Sequence, residues 1–246
     1  MTLIERLERA CLEAWPAKTR LTRYGWEHCA TAGRSGRVNS VWPLAWTDEA
    51  PLERAVQHAA DWCEAQGVAP MFKLADGLVA PPALATTLAA AGYAAHTETL
   101  VMTRAMPAHV ARPAAVELHD IFNEHVASPL REAAPNAADA TERTDIVLRI
   151  KAPRIFALAR REGAPAAVGM AVLTGPLLGV YLMRTAPWAR RQGLARDVLG
   201  ALMHWGATHE AATAYLQVEA ANAAALNLYA HEGFAALYRY HYWSRT

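Results

Sequence analysis

Apolar positions recur along this chain with two periods, and their succession predicts a mixed α/β protein. Residues 3–14 repeat at helical spacing, and so do residues 52–66, where Leu52, Val56, Ala59, Ala60 and Cys63 share a face and Gly67 follows as a stop signal. Between them, 24–31 and 37–46 read as strands. A strand at 69–74, a helix at 82–91 and a strand at 93–104 complete a first half. A second half begins near Pro113, after the Met106-Pro107 break. It reads as a helix at 114–132, a Pro- and Ala-rich loop, and strands at 154–160, 166–173 and 178–185. A long helix at 192–210 then carries Leu194, Val198, Leu202 and Trp205 on one face. A strand at 213–219, a helix at 222–232 and a strand pair at 234–244 end the chain. The expected domains are 1–106 and 113–246.

The halves share a register. AGYAAHTETLVMTR (91–104) aligns without a gap to EGFAALYRYHYWSR (232–245), matching Gly92 with Gly233, Tyr93 with Phe234 and Arg104 with Arg245. Each copy follows a strand and an Ala-rich helix, so the reading is a tandem of related halves. One stretch needs a membrane test, because residues 163–183 carry no charge over a length that would span a bilayer. Gly169, Gly175, Pro176 and Gly179 interrupt it, and TGPL between two apolar runs is a turn signal, so a buried hairpin is expected instead.

Composition narrows the partners. The 246 residues hold 24 Lys plus Arg and 23 Asp plus Glu, a formal net charge of +1. That near-balance argues against a general nucleic-acid or membrane-surface binder, which needs a basic excess. The three cysteines, Cys11, Cys29 and Cys63, are odd in number and form no CxxC pair, so they read as reduced thiols. Glu5, Arg6, Glu8 and Arg9 stand where a signal peptide needs an unbroken apolar core, and a cytoplasmic monomer or homodimer is the expectation.

Chemistry concentrates in TAPWARRQGLAR (185–196), which leaves a strand and opens the long helix. A helix start offers unpaired N–H groups and partial positive charge, and Gly193 allows close approach to the backbone. Arg184, Arg190, Arg191 and Arg196 add positive charge with no acid among them until Asp197, a setting suited to a diphosphate. Further on, Asn222 and Tyr229 are seven residues apart, which returns them to nearly one helix face about 10 Å apart along the axis. The plainer readings are a solvated basic helix start, an N-cap asparagine and a core tyrosine. His204 and His209 lack the HExxH spacing, and no metal is expected.

The spacing Arg190-x-x-Gly193-x-Ala195, with Pro187 three residues before it, resembles the acyl-CoA signature of the GNAT superfamily of N-acyltransferases. YLQVEAANAAALNLYAHEGF (215–234) resembles that superfamily's strand, Asn, Leu-Tyr helix and Gly-Phe turn, in the correct order. The likeness covers about 113–246 and looks closest to the branch of N-terminal protein acetyltransferases and mycothiol synthase. It implies a tandem GNAT-like α/β fold, each half a mixed, largely antiparallel sheet flanked by helices. It also implies acetyl transfer from acetyl-CoA to a primary amine, either a small molecule or a peptide N-terminus, by direct attack. By position, the backbone of Met183, Arg184 and Thr185 would hold pantetheine, and Arg190, Arg191, Gln192, Gly193, Leu194, Ala195 and Arg196 the diphosphate. Asn222 would hold the pantetheine arm, and Tyr229 would protonate the leaving thiolate.

The sequence departs from the pattern at the base. Ribosomal-protein N-terminal acetyltransferases have a glutamate twelve residues before the tyrosine, and here that residue is Gln217. Glu219, two residues on and on the same strand face, is the candidate base, with His241 and His125 as rivals. The amide at Gln217 keeps an alternative open, a CoA-binding sensor or partner module without catalysis. The first half lacks the Arg-x-x-Gly-x-Ala cradle, has WTDEAPLER before its helix, and offers Leu88 in place of Tyr229, so it is not expected to bind CoA. Its segment 33–42, with Arg34, Arg37, Asn39 and Ser40, reads either as the wall of an acceptor pocket or as a plain hairpin.

Overall fold

In a computed structural model of the chain, residues 1–245 are described, and they form a mixed α/β structure in two compact units. The units interleave along the sequence. Of the described residues, one comprises 1–101, 218–223 and 236–245; the other comprises 102–217 and 224–235. The last strand therefore belongs with the first unit, although it follows the second half in sequence.

The first unit starts with α1 (Leu3–Ala14), whose N-terminus is capped by the Thr2 hydroxyl accepting from the Glu5 N–H at 3.2 Å. Next come β1 (Thr19–Arg23), β2 (Trp26–Ala30) and β3 (Val41–Trp42), then α2 (Leu52–Ala65), β4 (Met71–Ala75), α3 (Leu84–Ala90) and β5 (Tyr93–Ala105). β3 and β4 are parallel, as a crossover through α2 requires, whereas β1–β2 and β2–β3 are antiparallel. The final strand, β11 (Ala235–Arg245), pairs antiparallel with β4, and the strand order is β1-β2-β3-β4-β11-β5. Apolar faces of α2, α3 and these strands meet in one core that includes Trp26, Val41, Ala59, Phe72, Leu88 and Tyr93.

The second unit repeats that plan. β6 (Val116–His119), α4 (Glu124–Glu132) and α5 (Ala137–Arg149) precede β7 (Arg154–Arg161), β8 (Ala164–Thr174) and β9 (Leu177–Thr185). Then α6 (Leu194–Thr208) crosses over to β10 (Thr213–Glu219), parallel to β9, and α7 (Ala223–His231) follows. The strand order is β10-β9-β8-β7-β6. The uncharged run is the β8–β9 hairpin, with Thr174 paired to Leu177 around Gly175-Pro176. No described helix is long and apolar enough to cross a membrane.

The repeat is cross-wired. Arg245, from the second copy, donates Nε–H to the Ala91 carbonyl at 3.2 Å and lies 4.9 Å over the Tyr93 ring, beside the first copy's Gly92 turn. Arg104, its counterpart, lies beside the second copy's turn, where a Cβ on Gly233 would come 3.5 Å from Nε. Glu98 and Arg239 are separated by the repeat offset of 141 residues, and they pair with each other at 2.7 Å. Equivalent positions of the two copies, one on β5 and one on β11, thus meet in an ion pair.

Five expectations change, the first at 37–46, where Gly36–Val38 is a 3-10 turn and only Val41–Trp42 pair as the strand β3. Residues 116–119 form a strand with period-two alternation, so the helix expected at 114–132 begins only at Glu124, where the Asn123 side chain caps it. The loop expected after it contains α5, capped by Asn136. The run 24–31 begins instead as the end of a hairpin, with Tyr24 at φ 57° in the β1–β2 turn. The expected terminal strand pair is the single strand β11.

His28 gives the first unit a pH dependence. It is fully buried on β2, its Nδ1–H reaching the Leu21 carbonyl at 3.2 Å, and burial together with nearby His58 lowers its pKa to about 4. An unfolded chain binds this proton from about pH 6.5 downward while the folded chain refuses it. Stability present above pH 6.5 is therefore lost as pH falls toward 4, by up to about 3 kcal/mol. Urea unfolding of the wild type and of His28→Gln at pH 7.5 and 4.5 checks this, since the variant is expected to show a smaller acid loss. The cysteines are buried, and burial pushes the Cys29 thiol up to about 12 and the Cys63 thiol to about 11.

Candidate functional site

β9 is irregular where it matters. Its pairing with β8 shifts register between Val168 and Met170, and Leu182 sits at φ 54°, so Leu182 and Met183 together stand opposite Gly169. This is a β-bulge, a device that re-aims backbone groups and concentrates near functional sites. Gly169 permits it, because a Cβ there would lie 2.5 Å from Met183 Sδ and 2.8 Å from Val198 Cγ1 of α6. Beyond the bulge, Met183, Arg184 and Thr185 are half-buried.

The chain then turns through the short 3-10 segment Pro187–Ala189 into α6. Arg191 and Gly193 take left-handed φ values of 65° and 81°, and the N-cap of α6 is Gly193, whose side-chain direction faces open space. Its carbonyl accepts from the Arg196 and Asp197 N–H groups at 2.9 and 3.2 Å. The N–H groups of Gln192, Gly193, Leu194 and Ala195 have no acceptor among the described residues. Four unpaired donors at a positive helix end, with Arg190, Arg191 and Gln192 exposed beside them, form a cradle suited to an anion. Arg196 differs from the expectation of an unopposed cation. Its Nε lies 2.7 Å from Glu232, an acid 36 residues away in sequence.

Tyr229 is buried on α7 with its ring 6.1 Å from that of Phe234, and its hydroxyl makes no hydrogen bond to another described residue. Burial raises its pKa, and the positive charge of Arg184 opposes that rise. The second unit therefore brings Tyr229 near the strand that leads to the cradle. Glu219 and Asn222 fall in the first unit, both exposed, with the Asn222 N–H donating to the Glu219 carbonyl at 2.9 Å. Gln217 is half-buried on β10. His125 is exposed on α4, and His241 is half-buried on β11.

Other candidates are structural. His204 Nδ1 is 2.6 Å from the Val110 carbonyl, and His209 stacks on Trp205 at 4.3 Å. Asn39 and Ser40 are buried and their polar atoms serve the 31–40 loop: Asn39 Oδ1 accepts from Thr31 and Gly33 N–H, its Nδ2 donates to Ser35, and Ser40 donates to Gly36. The hairpin reading holds for those two residues. Arg37 lies over the Trp15 ring at 5.5 Å, and Arg34 is exposed. Among the described residues, no group of three or more His, Cys, Asp or Glu side chains has the arrangement of a metal site.

A sequence model of the family described as "Probable histone acetyltransferase Rv0428c C-terminal" matches residues 2–243, both units included. The chain belongs to this family. Solved structures agree on the fold across its full length. A GCN5-related N-acetyltransferase from Kribbella flavida is 14% identical, covering 100% of this chain and 96% of its own, with a TM-score of 0.73. A tandem GNAT protein from the clavulanic acid biosynthesis pathway is 14% identical over 96% and 86% of the two chains, with a TM-score of 0.63. A GNAT-family acetyltransferase from Colwellia psychrerythraea is 15% identical over 100% and 98%, with a TM-score of 0.55. No curated protein matches. The family thus carries the GNAT fold, and acyl transfer is its general chemistry.

Proposed function

We propose that this chain is an acetyl-CoA-dependent N-acetyltransferase acting on a primary amine, a small molecule or a peptide N-terminus, with CoA held by residues of the C-terminal half of the sequence, 113–246, alone. The row of unpaired N–H groups at Gln192–Ala195, beside the open side of Gly193, carries the reading, because a diphosphate is the chemistry such a row accepts. Arg190 and Arg191 precede that row directly, and Arg196, which follows it, is tied to Glu232.

Acetyl-CoA supplies a thioester whose carbonyl carbon is attacked by the neutral amine, with departure of CoA as a thiolate. In this reading the backbone of Met183–Thr185, at and just past the bulge, holds the pantetheine arm and donates toward the developing oxyanion. Asn222 holds the arm from the start of α7. Tyr229 gives its hydroxyl proton to the sulfur, and burial keeps that proton in place until it is needed. Glu219, exposed at the end of β10, takes the amine proton directly or through water. The bond formed is C–N and the bond broken is C–S; the proton Glu219 takes from the amine passes on to solvent, and Tyr229 recovers from solvent the proton it gave to sulfur.

Thiol release from acetyl-CoA over a panel of polyamines, amino acids and peptide N-termini tests the activity. CoA binding without thiol release on any acceptor would favour the binding-module alternative. Gly193→Asp tests the placement, since aspartate tolerates left-handed φ better than most residues and brings its charge to the phosphate path. CoA affinity by calorimetry is expected to fall about a hundredfold, roughly the 3 kcal/mol of two like charges a few ångströms apart in a partly solvated site. Gly193→Asn, equal in size and neutral, is expected to lose far less.

A further inference from the structure

The loop that presents the cradle has few means of keeping its shape. Pro187, Trp188, Arg190, Arg191, Gln192 and Gly193 are all exposed, and two of them are in left-handed conformation. Its buried anchors are Ala186, whose N–H donates to the Ala166 carbonyl at 2.8 Å, and Ala189, which turns back on Ala186 at 2.9 Å. Both precede the four donors.

One side chain adds a third anchor. Trp188 is 50% exposed, yet its indole Nε1–H donates to Glu132 Oε2 at 3.1 Å. The other oxygen of Glu132 accepts from the Ser128 hydroxyl at 3.1 Å, one turn earlier on α4. The carboxylate is thus aimed from its own helix, and the indole meets an acceptor with a fixed direction. Water would satisfy the indole N–H of this half-exposed side chain equally well. The chain Ser128–Glu132–Trp188 does one thing that water does not, which is to tie the loop to α4.

We propose that Glu132 and Trp188 are positioning residues for the anion cradle, setting CoA affinity by fixing the 187–193 loop without contributing a charge to the phosphate. The inference rests on the reading that the cradle binds CoA. Its signature is a sign. Glu132 is an acid near a site for an anion, so electrostatics alone says that removing it tightens CoA binding. Positioning says the reverse, because a loosened loop must be ordered when the ligand arrives.

Calorimetric titration with CoA separates the two. Trp188→Phe, which keeps a ring but removes the donor, and Glu132→Ala are each expected to weaken binding about five- to tenfold, the worth of one solvent-exposed hydrogen bond. The double variant should be no weaker than either single one, because both break the same link. Glu132→Gln retains an acceptor oxygen and should stay within about twofold of wild type. Thermal midpoints should barely move for a link on the surface. Glu132→Ala binding CoA as tightly as wild type or tighter, or losses that add in the double variant, would overturn the proposal. A wild-type chain that binds no CoA would remove the functional reading as well. Wild-type binding with Trp188→Phe unchanged would overturn this inference alone.

Discussion

Lys73→Ala is expected to destabilise the first unit by about 3–5 kcal/mol, because it strands a buried carboxylate. Lys73 Nζ lies 2.6 and 2.5 Å from the two oxygens of Glu8, and the side chains are 0% and 1% exposed. Tyr238 donates its hydroxyl to the same carboxylate at 2.6 Å, while Lys73 faces the rings of Trp42 at 3.6 Å and Tyr240 at 4.1 Å. The cluster therefore joins α1 near the start of the chain, β3 and β4 in its middle and β11 at its end. With the ammonium gone, Glu8 has one phenol to meet its charge, and desolvation is no longer offset by the ion pair or by the cation–π contacts. Denaturant unfolding gives the loss directly, and a fall in Tm of about 10 °C accompanies it. The triple variant Glu8→Leu, Lys73→Met, Tyr238→Phe removes charges and partners together and is expected to recover most of the stability. A Lys73→Ala chain as stable as wild type would mean that water reaches Glu8.

These residues also show where sequence reading reaches its limit. α1, α2, β10 and the long helix α6 were legible because each has an apolar face of full length, and the cradle was legible because glycine and arginines crowd into one short segment. β1 was not legible. TRLTR is an edge strand with mostly exposed residues, and it has no burial pattern to write into its sequence. α5 was hidden by alanines and a proline upstream, although Asn136, followed three residues later by Asp139, is its cap signal. At the site, the bulge at Leu182 lies inside the uncharged apolar stretch that ends at Met183, where backbone conformation leaves no mark. Glu8–Lys73, Arg196–Glu232 and Glu132–Trp188 are long-range pairs, 65, 36 and 56 residues apart, and no local period announces them. The cross-wiring of Arg104 and Arg245 was half legible, since the repeat marked them as equivalent but not which turn each would serve.

Tyr229→Phe is expected to lower kcat about a hundredfold or more, roughly 3 kcal/mol of transition-state stabilisation, while CoA affinity and stability change little. Phenylalanine keeps the ring and its contact with Phe234, so packing is preserved. What disappears is a hydroxyl that makes no hydrogen bond to a described residue, and its loss strands no partner. A core tyrosine of that kind would be replaced at no cost in turnover, whereas a proton donor would not. Its raised pKa suits the task, because a thiolate leaving in the same desolvated site is itself more basic than in water, and the nearby Arg184 keeps the phenol from becoming too weak an acid. The measurement is steady-state turnover with acetyl-CoA and an acceptor from the amine panel, beside CoA titration of the same variant. A solvent isotope effect on kcat that is present in the wild type and altered in the variant would tie the loss to proton transfer. Retention of most of the wild-type kcat would return Tyr229 to the core and leave the sulfur to take its proton from water.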